Sequence, residues 1–146
     1  MTTTQELIVQ VLKGLPVQEK RDRRIYIPVQ RDDLMRTVNI LSSELNIQHL
    51  STITARDTGS ELEILYHFFL KGIVITVRTT CPKEDPTVDS IVGVFPSAVL
   101  YERELNDILG IVPKGHPDLR RLVLPDDWVG GYPLRKDWTP PEESEE

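Results

Sequence analysis

The chain has 146 residues, is 39% hydrophobic and carries a formal net charge of −6, values that fit one globular domain around a single core. Its one cysteine, Cys81, excludes an intramolecular disulfide or a cysteine-ligated cluster within the chain. The longest apolar run, IVGVF at 91–95, falls far short of the ~20 residues that span a bilayer. Four of the negative charges lie in the terminal TPPEESEE, so residues 139–146 are expected to form a disordered acidic tail. The remaining body is close to neutral, and its only basic run, KRDRR at 20–24, is interrupted by Asp22. A nucleic-acid binder needs a basic excess or a clustered basic face. The opening MTTTQELIVQ has no basic region ahead of an apolar stretch, which predicts no secretory signal and a cytoplasmic compartment.

In chain order, Thr3 and Glu6 read as a capping box, and Leu7, Ile8, Val11, Leu12 and Leu15 fall on one helical stripe stopped by Gly14 and Pro16. The first helix is therefore predicted over about 4–14. RIYIPVQ alternates as a strand that Pro28 pushes to a sheet edge or ends. Asp32 and Asp33 are predicted to cap a second helix with Leu34, Val38, Leu41 and Leu45 on its apolar face. Three strands follow: HLSTITAR, ELEILYHFFL and IVITVRT, with DTGS turning the first pair and Lys71-Gly72 making a tight hairpin in the second. CPKEDPTVDS reads as a loop and IVGVF as a short strand or extended piece. A third helix starts at Pro96 and Ser97 and ends at Gly110, with Ala98, Tyr101, Leu105 and Ile108 along one side. The predicted fold is α+β: a mostly antiparallel sheet of about four strands packed by two N-terminal helices, then a third helix and a long extended C-terminal strap. The division is an α+β domain over 1–110, a strap over 111–138 and the tail.

The enzyme readings are thin. Glu102 and Glu104 stand two apart on a helix and point away from each other, so they cannot share a substrate, and each is expected to pair with a cation. Arg103 and Asp107, four apart, can pair along the helix. His116 with Asp118 could be a general base or a metal ligand, but His49, His67 and Cys81 lie at no ligand spacing from it. No nucleophile elbow or glycine-rich phosphate loop is present. His67 is expected mid-strand, opposite the apolar face.

The strap reads better as a binding surface. An irregular stretch this long is uncommon unless functional or disordered, and its leucines, valines, Trp128, Tyr132 and Trp138 are not a disordered composition. Arg, Trp and Tyr dominate interface hot spots. Arg120, Arg121 and Arg135 can each fork onto carboxylates. Pro117, Pro125 and Pro133 restrict the free chain and so lower the entropy lost on docking. The composition alone leaves open whether the strap lies on a partner or folds back over its own sheet.

The segment ERELNDILGIVPKGHPDLRRLV, 102–123, resembles the signature of the 30-kDa subunit family of respiratory complex I, also called the C subunit of NADH:quinone oxidoreductase. The matching positions are Glu102, Arg103, Glu104, Asp107, Ile108, Leu109, His116, Arg120, Leu122 and Val123, and PLRKD at 133–137 resembles the family's ending. The likeness extends more weakly back to about residue 45. It implies an α+β subunit of a membrane-associated redox complex, peripheral on the cytoplasmic face. Members of this family bind no cofactor themselves; the iron–sulfur clusters are expected in partner subunits. The resemblance also implies that the strap packs on the large hydrogenase-like subunit of the 49-kDa type, beside a neighbouring iron–sulfur subunit. Relatives serve NADH, F420 and ferredoxin dehydrogenases and energy-converting hydrogenases. Val112-Pro113, the spacing of Gly131-Tyr132 and the short run after Trp138 depart from many complex I members, and the short form fits an archaeal or hydrogenase-type complex at least as well as a full NADH dehydrogenase. The expected partner surface is then Glu102, Arg103, Glu104, Asp107, His116, Asp118, Arg120, Arg121, Trp128, Tyr132, Arg135, Lys136 and Asp137. Within it, Arg120, Arg121, Arg135 and Asp137 are expected in desolvated pairs, and residues 102–104 at the root of the strap. The competing readings are a self-standing enzyme built on His116 and a single-strand RNA binder on the exposed sheet face. RNA binding is weakened by the lack of aromatic pairs flanked by basic residues on one strand.

Overall fold

A computed structural model of the chain describes residues 3–141, with only the backbone at Glu19 and Lys20. The expected acidic tail lies, from residue 142 on, outside the described residues. The elements are α1 (Thr4–Val11), β1 (Gln18–Arg21), β2 (Arg24–Pro28), a 3-10 turn (Arg31–Asp33), α2 (Leu34–Ser43), β3 (Leu50–Asp57), β4 (Glu61–Leu70), β5 (Ile73–Pro82), β6 (Thr87–Asp89), α3 (Ala98–Leu109) and β7 (Val112–Lys114). The main sheet runs β1-β2-β5-β4-β3, and β6 pairs with β7 in a two-stranded ribbon. All four predicted strands are present, with β1 added outside β2. The sheet is mostly antiparallel as expected; the one parallel pairing is β2 with β5.

Strand alternation places the core. Leu62, Ile64, Tyr66 and Phe68 of β4 and Ile73, Ile75, Val77 and Cys81 of β5 point into one apolar cluster. Ile8 and Leu12, Leu34, Val38 and Leu41, and Ala98, Leu105 and Leu109 enter the same cluster from the helical segments. The opposite face of the strands mixes polar residues such as Glu63, Thr76 and Arg78 with Leu65, Phe69 and Val74. There His67 lies opposite the apolar face as predicted, its ring nitrogens 3.3 Å from Thr54 Oγ1 and 3.1 Å from Thr76 Oγ1.

Local chemistry explains most boundaries. The Thr3–Glu6 box forms in both directions, the Glu6 N–H donating to Thr3 Oγ1 at 3.1 Å and the Thr3 N–H to Glu6 Oε2 at 2.9 Å. The helix stops at Val11 rather than near 14, and its predicted stripe splits: Ile8, Leu12 and Leu15 are buried while Leu7 and Val11 face solvent. Asp33 makes no side-chain cap at α2; residues 31–33 wind as a 3-10 turn instead. IVGVF is a turn and not a strand. The N–H groups of Val94 and Phe95 return to the Ile91 carbonyl, and the Phe95 ring packs on Phe68 with centroids 4.9 Å apart. Within the predicted loop CPKEDPTVDS, residues 87–89 form β6, because β7 past Gly110 offers it a partner.

Gly110 ends α3 in the left-handed region at φ 73°, which suits a residue without a Cβ. The Lys71-Gly72 hairpin has φ of 49° and 80°, the geometry of a type I′ turn. Lysine is a poor residue for its first position, where asparagine's short polar side chain bonds locally and tolerates the left-handed region. Lys71→Asn is expected to raise stability by about 0.5–1 kcal/mol, read as a higher urea midpoint with an unchanged m-value.

Candidate partner-binding site

The candidate site is α3 and the strap that follows it. Helix periodicity sends the residues of one short stretch in different directions. Glu102 points inward and is buried; its carboxylate accepts the Ser90 hydroxyl at 2.7 Å and the Ile91 N–H at 2.8 Å. The expected cation partner is therefore corrected: two neutral donors hold Glu102. Burial raises its carboxyl above the usual range, against the downward pull of those two bonds. Glu102 thus fixes the turn ahead of α3 rather than facing a partner.

Arg103 and Asp107 do not pair with each other. Arg103 donates through Nε to the Arg120 carbonyl at 3.0 Å and through a terminal nitrogen to the Arg121 carbonyl at 2.8 Å. Asp107, 2% exposed, accepts three successive strap N–H groups on Oδ2: Leu122 at 3.0 Å, Val123 at 2.7 Å and Leu124 at 2.9 Å. Its Oδ1 takes the Arg121 guanidinium at 3.2 Å. Burial by itself would raise this carboxyl; the three amides and Arg121 outweigh it and bring the group below its ordinary value. One helix thus offers a donor to the strap's carbonyls and, one turn on, an acceptor to its amides.

The second half of the strap is tied to the end of α3 and to the sheet. The Leu134 N–H reaches the Ile108 carbonyl at 3.1 Å, and Arg135 Nε donates to the Leu109 carbonyl at 2.7 Å. A cation on the last carbonyls of a helix satisfies acceptors the helix leaves open. The Arg135 guanidinium also lies 4.9 Å from the centre of the Tyr132 ring. That ring lies so close to Gly110 that a Cβ there would meet it at 2.6 Å. Trp128 Nε1 donates to the Gly131 carbonyl at 2.8 Å and Trp138 Nε1 to the Gly130 carbonyl at 2.6 Å. The Lys136 N–H donates to Asp57 Oδ2 at 2.9 Å, an oxygen that also holds Lys83 Nζ at 2.7 Å. Arg121 and Arg135, expected in pairs with a partner, are thus engaged inside this chain, and both indole N–H groups are satisfied at home.

The other predicted residues divide. His116 Nε2 stands 2.9 Å from the Val99 carbonyl, and its Nδ1 accepts the Asp118 N–H at 3.0 Å. Both ring nitrogens are in use, so the imidazole is a bracket between strap and α3 and lacks the free nitrogen a general base needs. Asp118 and Arg120 pair with each other at the surface, at 2.7 Å, while Asp137 and Glu104 are exposed. On the outer sheet face, Glu63 binds both Arg56 at 2.9 Å and Arg78 at 2.7 Å, occupying cations that an RNA site would need free. No group of three or more His, Cys, Asp or Glu among the described residues could hold a metal ion.

With these anchors in place, several strap side chains remain turned outward. Val129 is 95% exposed, Val123 59% and Leu134 57%, and Leu119, Leu122 and Tyr132 are exposed to a lesser degree. Asp57 is the strap anchor that sequence reasoning missed. DTGS signalled its turn, formed by the Gly59 N–H on Asp57 Oδ1 at 2.8 Å; nothing in the sequence pointed to its second oxygen meeting Lys83 and the strap.

Two anchors can be tested directly. Burial would raise the Asp57 carboxyl, but Lys83 and the Lys136 and Gly59 amides bring it from 3.8 to about 2. Its stabilisation, about 2 kcal/mol, is therefore complete above about pH 5 and is lost as pH falls through the folded value. Urea unfolding of Asp57→Asn against the parent chain is expected to give a gap of about 2 kcal/mol at pH 7 that narrows below about pH 4. Asp107→Ala is expected to leave the sheet intact while freeing the strap, with the amides of Leu122, Val123 and Leu124 exchanging hydrogen roughly 30-fold faster or more.

Residues 27–144 match the family described as respiratory-chain NADH dehydrogenase, 30 Kd subunit. The chain is 36% identical over 119 residues to the C subunit of the F(420)H(2) dehydrogenase of Methanosarcina mazei, covering 79% of this chain and 75% of that one. It is 40% identical over 120 residues to the C/D subunit of the NADH-quinone oxidoreductase of Phocaeicola vulgatus, covering 79% of this chain and 22% of that one. Among solved structures it is similar to a chain of the membrane-bound sulfane sulfur reductase, an archaeal respiratory membrane complex. There the TM-score is 0.82 at 27% identity, covering 92% of this chain and 85% of that one. The signature Glu-Arg-Glu and the Asp107 clip are thus set in the fold of a known lineage, and the chain belongs to the 30-kDa subunit family of respiratory NADH dehydrogenase, the C-type family of complex-I-like redox complexes.

Proposed function

We propose that the chain is a docking subunit, with no redox group of its own, of a complex-I-like redox complex. In this reading its strap, residues 111–138, lies across the large hydrogenase-like subunit of the 49-kDa type, beside an iron–sulfur subunit. The chain is peripheral, held at the cytoplasmic face of the membrane through its partners. The observation that carries the reading is the contrast within the strap: three successive amides and the Arg121 and Arg135 guanidinium groups are tied down inside the chain while Val123, Val129 and Leu134 are held out to solvent. Anchoring the backbone before association removes much of the ordering cost that a loose segment pays on binding, and apolar side chains on a fixed backbone present a formed surface. The name of the Phocaeicola relative joins C and D, which supports contact with a subunit of type D. The similarity to a chain of an archaeal respiratory membrane complex supports a membrane-associated assembly.

The internal engagement of Arg121 and Arg135 moves the weight of the interface from arginine forks to exposed apolar side chains, with the surface pair Asp118–Arg120 at its rim. A rim pair steers association and contributes little net affinity. The doubly substituted Val129→Asp/Leu134→Asp chain is expected to fold with its melting temperature within about 2 °C of the parent, because both side chains face water and surface changes are usually worth under ~0.5 kcal/mol. Captured through a tag from native membranes, it is expected to bring down less than about a tenth of the large subunit. Arg120→Ala is expected to fold equally well and to weaken capture only modestly. Parental capture by the aspartate pair would defeat the docking reading.

A further inference from the structure

The basic run KRDRR and helix α1 lie outside the strap and meet at one end of the main sheet. Gln5 of α1 joins them. Its Oε1 accepts the Arg23 N–H at 2.9 Å, and its Nε2 donates to the Arg21 and Arg24 carbonyls at 3.4 and 3.5 Å. The Val74 N–H donates to the Arg23 carbonyl at 2.9 Å and ties the β1–β2 turn to β5, beside the Lys71-Gly72 turn. This end is far from the strap's tie at Asp57, because the ten-residue strands β4 and β5 hold the two ends roughly 30 Å apart.

Two grooves adjoin there, with Thr4 and Lys71 in the walls of both. One is apolar, lined by Leu7, Val11, Leu45 and Leu70, and in it Leu7 is 52% and Val11 45% exposed. The other is lined by Arg23 and Lys71, with Asp22 beside them. Arg21 and Arg24, exposed on the same turn, add to its positive field. The backbone supplies a second observation. Among the described residues, three that are not glycine have positive φ: Arg23 at 62°, Asn46 at 52° and Lys71 at 49°. Asparagine tolerates that region, whereas a long side chain is strained in it. Both strained positions carry a cation, and both line the same groove. Neither side chain makes a hydrogen bond or ion pair among the described residues, so no such contact within the chain offsets the strain. Strain kept at a cost in stability points to a function for the residues that hold it.

We infer that this end of the sheet docks an amphipathic helix of another protein chain, with the helix's apolar stripe on Leu7 and Val11 and its carboxylates on Arg23 and Lys71. A concave apolar surface flanked by charge takes a helix through anchors three and four residues apart. Asp22 and Glu44 lie in the groove walls as well. A helix can set a basic residue against Glu44 and acids against Arg23 and Lys71, which a uniformly anionic lipid surface cannot do.

The experiment is photocrosslinking in the native membrane-bound complex, with p-benzoylphenylalanine in place of Val11, followed by mass-spectrometric sequencing of the linked product. The expected product is one segment of another chain with apolar residues at helical spacing and Glu or Asp beside them. In the Arg23→Asn/Lys71→Asn background the yield is expected to fall about tenfold, while the isolated chain carrying both substitutions melts above the parent, because asparagine suits both positions. A link to lipid, to a second copy of this chain or to a segment without acids overturns the inference, as does no link at all or an undiminished yield in the doubly substituted chain. The same photoreactive residue in place of Val129 reports on the strap separately. If it links to the large subunit while the Val11 position links to nothing, the docking reading stands and this inference falls; the converse result reverses the two.

Discussion

The course of the strap along α3 is set by one carboxylate. Asp107 lies in α3, almost wholly removed from solvent, and accepts the N–H groups of three consecutive strap residues on a single oxygen while the other holds Arg121. A buried carboxylate is costly unless its acceptor capacity is used, and an irregular backbone leaves amides that need acceptors. Each cost is met by the other. The strap needs no helix or ladder there because a side chain takes the place of backbone acceptors, and the helix tolerates a charge because the strap supplies its donors.

This arrangement makes α3 a spine with two duties. Its inner side, through Ala98, Leu105 and Leu109, joins the common core, and Glu102 fixes the preceding turn through Ser90 and Ile91. Its outer side carries the strap through Arg103 and Asp107. The strap then folds over the helix end, where Arg135 caps the Leu109 carbonyl and the Tyr132 ring rests on Gly110, a position with no room for a side chain. Asp57 adds a tie to the sheet through the Lys136 amide.

A strap held this way is a surface rather than a loose arm. Several of its amides and carbonyls and the guanidinium groups of Arg121 and Arg135 are engaged within the chain, while Val123, Val129 and Leu134 stand in water. Exposed apolar groups on an ordered frame are characteristic of an interaction site. Arg121 and Arg135, expected to meet partner carboxylates, hold the strap in shape within this chain, and the apolar Val123, Val129 and Leu134 between them face solvent.

The sequence by itself determined the class of fold, because periodicity and turn chemistry are local. The alternation of β4 and β5, the Lys71-Gly72 turn, the Thr3–Glu6 box and the Gly110 stop each follow from residues close together in the chain, and each appears where read. The signature around residues 102–123 was equally legible as a pattern, and it led to the family. What only the tertiary structure decided is which way each charged residue faces. The i,i+4 spacing permits an Arg103–Asp107 pair; both instead meet strap atoms 14 or more positions away, because strap backbone groups offer better-placed partners. Asp57 and Lys136, 79 residues apart, meet only because the strap returns to the sheet. The turn at 91–95 and the β6–β7 pair were missed for the same reason: Glu102 and Phe68 hold the first and β7 the second, neighbours distant in sequence that no local pattern records.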